Sequence, residues 1–416
     1  MFDESRWPAA ETPTGFVLRL AKALHTYGTP AYELEHVING VARKLGFGLE
    51  CFSLPTMITL SLFEPDHHSS FVIRVTPGDI NLEKLSRCHD IAERVLHGEL
   101  DLPMAAQELD AVRTAKPRWG RLAVILSFGL VSSGVARVFG GDWAEMLSSS
   151  LIGVLVGGLS VWTSRSLILT YMFPTLAAAL AALASFGLAT AFGHDSVFIT
   201  LVSGVIVLLP GLMITVGLAE LATQNLVSGT ARLSGAAILF VLMGFGVAVG
   251  DQLGAKIFPV LSYTAPKLLP AWTEWAAVLL AGIGFVALFQ ARLRDGIWVV
   301  LAGIIAYSSA RYGSSLLGSA AGAFCGAFVI GGVSHLFRFL FERPNAIMLV
   351  PGIILLVPGS MGFRSLHALL EQDVVAGLDI AFQMLIAGIS LVIGLLLSSV
   401  FILPTRRERI ARGEVA

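Results

Sequence analysis

Val205-Ile-Val-Leu-Leu-Pro-Gly-Leu-Met213 and Ile353-Ile-Leu-Leu-Val-Pro-Gly-Ser-Met361 are the two stretches that decide how this 416-residue sequence is organised. In both, Pro-Gly comes near the end of an apolar run, and a further long apolar run follows. Proline has no amide hydrogen and clashes with the preceding helical turn, so each Pro-Gly is predicted to interrupt a helix. The matched positions indicate an internal repeat.

Long apolar runs fill the chain from Gly120 to Leu403, whereas residues 1–119 have the composition of a soluble domain. Charged residues make up only 14% of the sequence, against about 25% in an average soluble protein. A helix needs about 20 apolar residues to cross a bilayer. The sequence therefore predicts an α-helical polytopic membrane protein with about ten transmembrane helices. They are predicted at residues 120–139, 145–163, 167–191, 197–217, 233–252, 274–291, 296–311, 314–337, 345–361 and 374–403.

The two Pro-Gly pairs fall in the fourth and ninth predicted spans, so each half contains five. An odd number of spans forces the second half to insert upside down, which gives two inverted five-helix repeats. Inverted repeats with broken helices are typical of secondary transporters. We predict a small N-terminal α+β cytosolic domain (1–119), a first membrane unit (120–255), a second membrane unit (256–405) and a basic cytosolic tail (406–416).

In the N-terminal domain, apolar residues at helical spacing from Leu34 to Leu45 predict a helix, with Thr29 as its N-cap and Pro30 in its first turn. Alternating apolar residues at 58–62 and 71–75 predict strands. A further helix is predicted to begin at Asn81 and to end near Gly98.

The same domain contains Cys51, Ser53, His67 and His68, from which a nucleophile and a base could be drawn. The first two lie in a predicted strand and the histidines in a polar hairpin loop, which favours structural roles. We therefore predict that the protein is not an enzyme and has no catalytic residues. The three cysteines are far apart, so neither a metal site nor a cofactor is predicted.

Basic residues indicate the orientation of the chain. With the N-terminal domain in the cytosol, arginines and lysines in the predicted inside segments clearly outnumber those outside. This asymmetry predicts an even number of spans with both termini cytoplasmic. The net charge of −1 gives no electrostatic reason to expect nucleic acid as a partner.

Three stretches carry a resemblance to a known family. They are Tyr-Gly-Thr-Pro-Ala at 27–31 with residues 42–46, 74 and 80–82; Leu-Pro-Gly at 209–211 with Val-Ser-Gly-Thr-Ala-Arg at 227–232; and Leu-Val-Pro-Gly at both 349–352 and 356–359, with Arg364. In this order they resemble the threonine/serine exporter family in its fused form, which joins a cytosolic domain to two five-span units.

The resemblance implies a secondary active exporter of small amino acids, threonine and serine, that works by proton-coupled antiport. It also implies a multi-pass protein of the bacterial inner membrane. Split relatives resemble exporters of small dicarboxylates such as succinate, so that substrate class stays open. A channel, or a membrane sensor with a cytosolic regulatory domain, is the competing class, and a homo-oligomer is compatible with either.

A zwitterionic solute needs a partner for each charge, and a broken helix offers free backbone N–H and C=O groups where it faces a cavity. The candidate substrate-binding residues are Pro210, Gly211, Thr215, Asn225, Pro358, Gly359 and Arg364. Antiport also needs a proton-binding group, and ionisable side chains inside a membrane are costly. The candidate proton-coupling residues are Glu220, Asp251 and Asp379. Alternatively, Glu220 is a loop carboxylate paired with Arg232, and Arg364 is an ordinary loop arginine.

Overall fold

The computed structural model describes residues 7–64, 67–76, 78, 80–194, 196–258, 269–341 and 343–400. The predicted basic tail at 406–416 lies outside the described residues, as does most of the segment that joins the two membrane units.

A small α+β domain forms the N-terminal part of the chain. Its elements are α1 (Pro13–Thr26), α2 (Ala31–Lys44), β1 (Gly48–Leu54), β2 (Met57–Glu64), β3 (His67–Arg74), α3 (Leu82–His97) and α4 (Leu102–Thr114). The strands form an antiparallel sheet in the order β1-β2-β3, in which Leu60 lies opposite both Cys51 and Phe71. Ile58, Leu60 and Leu62 are buried in a core shared with the helices. The predicted strands are thus confirmed.

The two predicted helix starts in this domain differ in outcome. The Asn81 side chain accepts a hydrogen bond from the Lys84 amide, and Gly98 ends α3 in the left-handed conformation, as predicted. The prediction that Thr29 caps α2 is wrong, because Pro30 is the cap residue and makes no side-chain bond. The Ala31 amide at the start of α2 instead donates to the carboxylate of Glu220, 189 residues away.

Apolar helices make up the rest of the described chain. They are α5 (Arg121–Val138), α6 (Trp143–Thr163), α7 (Leu167–Phe192), α8 (Val197–Gly204), α9 (Gly211–Ala222), α10 (Leu226–Ile257), α11 (Trp272–Leu288), α12 (Gly296–Leu317), α13 (Ser319–Phe341), α14 (Ala346–Leu356), α15 (Gly359–Leu370) and α16 (Val374–Ser399). Within the described residues, eight helical segments are long and apolar enough to cross a membrane, or nine if the bent α8–α9 pair is one span. The predicted count of ten is not confirmed, because α11 has 17 residues and rises only about 25 Å.

Packing between helices follows the same pattern in both membrane units. In the first unit α5 packs on α6, α7 on α10, and α9 on α10; in the second, α11 packs on α12, α13 on α16, and α15 on α16. Between the units, α5 contacts α11, while α9 contacts α16 and α15 contacts α10. The cavity described below lies where the two units meet.

The N-terminal domain covers one end of this helical bundle. The Trp119 indole N–H donates to the carbonyl of Ala291 after α11, and the Leu82 amide donates to the carbonyl of Phe289. Arg338, near the end of α13, pairs with Glu93 of α3 at 3.0 Å. These contacts place the starts of α5 and α12 and the ends of α9, α11 and α13 at the domain's side.

Candidate functional site

The two Pro-Gly breaks have nearly the same backbone conformation. Leu209 and Val357 are extended, with ψ of 128° and 132°, and each ends a helical segment. Pro210 and Pro358 follow, with φ/ψ of −75°/35° and −78°/27°, and a new helix begins at the next residue. The predicted interruption of a helix at each pair is confirmed, although only the α8–α9 break bends the axis strongly, by 49°.

The breaks of the two units touch each other. A Cβ atom added at Gly211 would lie 3.1 Å from the Gly359 Cα and 2.1 Å from a methyl group of Val357. A Cβ atom at Gly359 would lie 3.0 Å from the Gly211 Cα. The contact is thus reciprocal, and only glycine allows the two backbones to approach this closely.

A cavity of about 600 Å³ opens beside this contact, between the two membrane units. Its walls come from α5, α11 and the broken helices of both units, and Gly78 and Ile80 of the N-terminal domain close one end. Apolar side chains predominate. The polar side chains among the described lining residues are Ser160, Tyr307 and Ser360, and none of the described lining residues carries a formal charge.

Backbone groups without a partner belong to several of the lining residues. The amides of Gly359, Ser360 and Leu212, at the starts of α15 and α9, donate to no other described residue. The carbonyls of Ile354 and Leu355 accept from none, because Pro358 has no amide hydrogen and the next helix begins only at Gly359. Free donors at two helix N-termini therefore lie in the same cavity as free acceptors, an arrangement suited to a ligand with both charges.

Of the seven predicted binding residues, Gly211 and Gly359 line the cavity, whereas Pro210 and Pro358 only adjoin it in sequence and three others lie away from it. Thr215 is buried one turn after Gly211, and its hydroxyl makes no hydrogen bond to a described residue. Asn225 precedes α10 and donates to Thr223. Arg364 is exposed on α15, with its guanidinium 4.8 Å from the ring centre of Phe139, which does line the cavity.

Glu220 lies nine residues beyond Gly211, about 13 Å further along α9. Its carboxylate is fully buried at the junction with the N-terminal domain. It accepts hydrogen bonds from the Arg232 Nε at 2.9 Å, the Ser228 hydroxyl at 2.7 Å and the Ala31 amide at 3.2 Å. This carboxylate joins the N-terminal domain to α9 and α10 and does not line the cavity. The pairing with Arg232, the alternative that the sequence left open, is observed.

The two other proton-coupling candidates differ in setting. Asp251, in α10, is half-buried and makes no hydrogen bond or ion pair to a described residue, although His367 and Glu371 lie close enough to act on it electrostatically. Asp379 is exposed on α16 and accepts a hydrogen bond from Gln383 one turn away. Neither residue lines the cavity.

A charged cluster near the other end of the bundle was missed by sequence reasoning. The Tyr307 hydroxyl, which lines the cavity, donates to Glu274 and accepts from Arg311. Arg311 also pairs with Glu274, and buried Arg137 of the first unit lies 3.7 Å from the same carboxylate. These four residues come from three helices, and no local motif in the sequence links them.

The thiols of the N-terminal domain are poor nucleophiles at neutral pH. Burial, assisted by the nearby Glu35 carboxylate, raises the pKa of the Cys51 thiol to about 12. Burial likewise raises the pKa of Cys88 to about 12. Ser53 bonds to His25, whose pKa is lowered by burial, and both side chains are buried. The prediction that His67 and His68 lie in a hairpin loop is wrong, because both belong to β3, where His68 stacks on Phe63. The described residues hold no group of side chains suited to a metal ion.

Alkylation at pH 8 is expected to be slow for Cys51 and Cys88 in the folded protein. Because their pKa values lie about three units above an ordinary thiol, the reactive thiolate fraction falls roughly a thousandfold. The rates in the native and the denatured chain, followed by mass spectrometry, check this. Equal rates would contradict the burial argument.

A bundle of long apolar helices, with a cavity at two broken helices, one from each half, places the protein in the class of multi-pass helical membrane proteins. The chain belongs to the threonine/serine exporter family. The family's first model, a threonine/serine exporter, matches residues 15–254, and its second, "Threonine/Serine exporter, ThrE", matches residues 274–401. The resemblance seen in the sequence is thereby confirmed.

Curated relatives include fungal proteins, each named pheromone-regulated membrane protein 10. That of Kluyveromyces lactis is 26% identical over 95% of this chain and 44% of its own length. Those of Eremothecium gossypii and Saccharomyces cerevisiae are 27% and 24% identical, over 84% and 95% of this chain and 48% and 54% of their own lengths. The chain thus spans about half the length of these relatives, which give no support to a bacterial inner membrane. No solved structure matches the chain.

Proposed function

We propose that the protein is a secondary active exporter of small neutral amino acids, with threonine and serine as its substrates. The observation that carries this proposal is the cavity at the paired Pro-Gly breaks, with its free backbone donors and acceptors. A carboxylate at the helix N-termini and an ammonium group at the free carbonyls would both be satisfied there. The cavity is large enough for a small amino acid, and its apolar walls suit a short side chain.

The charges of the lining favour a zwitterion over a dicarboxylate. Succinate carries two negative charges, and burying them without cationic partners is costly. Among the described lining residues there is no lysine, arginine or histidine. Arg364, the predicted carboxylate partner, is not a lining residue, and its guanidinium lies over the ring of Phe139. An amino acid, whose charges cancel, is therefore the better fit.

We further propose that the two membrane units are inverted repeats that rock about the cavity. Support comes from α5 and α11, the first helices of the two units. Gly134 of α5 approaches Ala277 and Ala281, while Gly284 of α11 approaches Ser127 and other residues nearer the start of α5, so these two helices run antiparallel. The reciprocal contact of the two breaks fits the same approximate two-fold axis.

The N-terminal domain is proposed to lie in the cytosol. Several arginines lie on the domain's side of the bundle. Arg118 pairs with Glu83 of the domain, and Arg343 pairs with Asp295, which precedes α12. An arginine-rich face of this kind fits the positive-inside rule. The opposite end carries Arg137 and Arg311, which share the carboxylate of Glu274.

Asp251 is the proposed proton-coupling residue, since Glu220 is already committed to Arg232 and to the start of α2. Replacement of Asp251 by asparagine keeps its shape and removes its titration. We expect gradient-driven export to be lost while exchange of solute across the membrane persists. Counterflow and proton-driven transport, measured side by side in proteoliposomes, check this. Asp379→Asn, on the exposed face of α16, is the matched control, and intact proton-driven export in Asp251→Asn would remove Asp251 from the mechanism.

Transport by the purified full chain in liposomes tests the proposal as a whole. Labelled threonine, serine and succinate are supplied with and without a proton gradient, and protein-free liposomes provide the background. We expect gradient-accelerated movement of threonine and serine and none of succinate. Movement of succinate alone would overturn the assignment of a zwitterion, and movement of none of the three would overturn the proposed substrate class.

A further inference from the structure

A second cleft, of about 430 Å³, lies where the N-terminal domain meets the connection between α11 and α12. It is separate from the cavity at the helix breaks. Its lining consists of Glu83, Arg87, Arg118, Arg292, Leu293 and Arg294. Among the described lining residues, four guanidinium groups thus face one carboxylate.

Glu83 is already engaged, which leaves positive charge in excess. Arg118 binds its carboxylate through two hydrogen bonds of 2.7 Å, and this pairing lowers the pKa of Glu83. Arg292 reaches the same carboxylate only at 3.8 Å. The neighbouring Asp295 is occupied by Arg343 at 2.8 Å and lies 4.0 Å from Arg294.

Arg87, Arg292 and Arg294 therefore have no carboxylate of a described residue within hydrogen-bonding distance. The Nε of Arg292 is buried and makes no hydrogen bond to any residue that the structure describes. Arg87 makes no hydrogen bond or ion pair to a described residue, and Arg294 is 59% exposed. Like charges packed this closely repel one another, and burial together with Arg294 lowers the pKa of Arg292. An anion in the cleft would remove the repulsion.

We propose that this cleft binds a phosphate group, carried either by a lipid headgroup or by a small soluble phosphorylated molecule. The planar fork of a guanidinium matches phosphate oxygens through paired hydrogen bonds, and several forks converge here. The cleft lies at the arginine-rich end of the bundle, where basic pockets between membrane helices bind anionic headgroups. Leu293, 71% exposed at its edge, offers an apolar surface beside the guanidinium groups.

The cleft also bridges two parts of the protein. Arg87 belongs to α3 of the N-terminal domain, whereas Arg292 and Arg294 belong to the second membrane unit. A phosphate held between them fastens the domain to that unit, so binding stabilises the docked arrangement. This inference does not depend on which solute the protein transports.

Binding is tested with the purified full chain in neutral detergent at constant ionic strength. One arm titrates inorganic phosphate, and the others add phosphatidylglycerol or phosphatidylcholine in mixed micelles, with the rise in thermal stability as the readout. We expect the affinity for the phosphate-bearing probe to fall roughly thirtyfold when Arg292→Gln and Arg294→Gln are combined. The single variant Arg87→Gln, which breaks no hydrogen bond or ion pair to a described residue, should fold normally and show a smaller loss.

Arg165→Gln is the matched control, since this exposed arginine between α6 and α7 lies at the same end of the bundle. It should bind like the unmodified protein. Stabilisation by phosphatidylglycerol but not by inorganic phosphate would assign the cleft to a lipid headgroup, and stabilisation by both would assign it to soluble phosphate compounds as well. Unchanged affinity in both cleft variants, equal loss in Arg165→Gln, or an equal effect of chloride would overturn the proposal.

Discussion

Substitution of Glu220 by alanine is expected to destabilise the docking of the N-terminal domain by about 3–5 kcal/mol, the range found when one partner of a buried ion pair is removed. The loss is large because the carboxylate is fully buried and satisfies three donors at once. Without it, the Arg232 guanidinium and the Ala31 amide at the start of α2 lose their acceptor. Thermal stability in detergent and the rate of tryptic cleavage after Arg118 measure the effect.

A double-mutant cycle separates the ion pair from other effects of the substitution. Because Arg232 is left buried without a partner in Glu220→Ala, removal of both side chains should be less damaging than removal of Glu220 alone. Glu371→Ala is the matched control, since this glutamate is exposed at the end of α15. If Glu220→Ala behaves like Glu371→Ala, the carboxylate does not hold the domain in place.

Alanine at Gly211 or Gly359 is expected to lower the transport rate roughly tenfold or more. The added methyl group at Gly211 would lie 2.1 Å from Val357, and at Gly359 it would lie 3.0 Å from the Gly211 backbone. Overpacking of this kind costs about 1–3 kcal/mol and moves the backbone. Here the displaced backbone carries the amides and carbonyls that face the cavity, so solute binding should suffer more than folding.

Two other glycines provide a matched control for this prediction. Beyond the backbone of their own helices, Gly158 in α6 and Gly332 in α13 have no atom of a described residue within 4 Å of an added Cβ. Alanine at either position should leave expression and transport unchanged. Equal transport rates in Gly211→Ala, Gly359→Ala and these two controls would show that the close contact of the helix breaks is not needed for transport.

Much of the architecture could be predicted from the sequence, because apolar runs and Pro-Gly pairs act locally. The run that ends at Pro210-Gly211 and its counterpart at Pro358-Gly359 are broken where the sequence predicts, since proline removes a backbone hydrogen bond. The pair Pro351-Gly352, in contrast, lies inside α14 without ending it. The helix between Asn81 and Gly98 is confirmed for a similar reason, because its capping residues are its immediate neighbours in the sequence. Elements that depend on residues adjacent in the sequence can therefore be predicted without knowledge of the tertiary contacts.

The parts that sequence reasoning missed depend on contacts between distant residues. The cap of α2 comes from Glu220 and not from Thr29, and nothing near Thr29 signals this exchange. The same contact moves Glu220 from the expected solute site to the domain junction. The cluster of Arg137, Glu274 and Tyr307 joins three helices, so its members could not be associated before the helices were packed.

The central claim, that solute binds at the paired helix breaks, is tested most directly by protection of a cysteine placed there. Ser360, next to Gly359, lines the cavity, and Ser315 at the exposed end of α12 does not. In a chain whose native cysteines are replaced by serine, saturating threonine is expected to slow alkylation of Ser360→Cys roughly tenfold or more, and to leave Ser315→Cys unaffected, since a bound solute excludes the reagent. Unchanged alkylation of Ser360→Cys in a protein that still transports threonine would contradict the account.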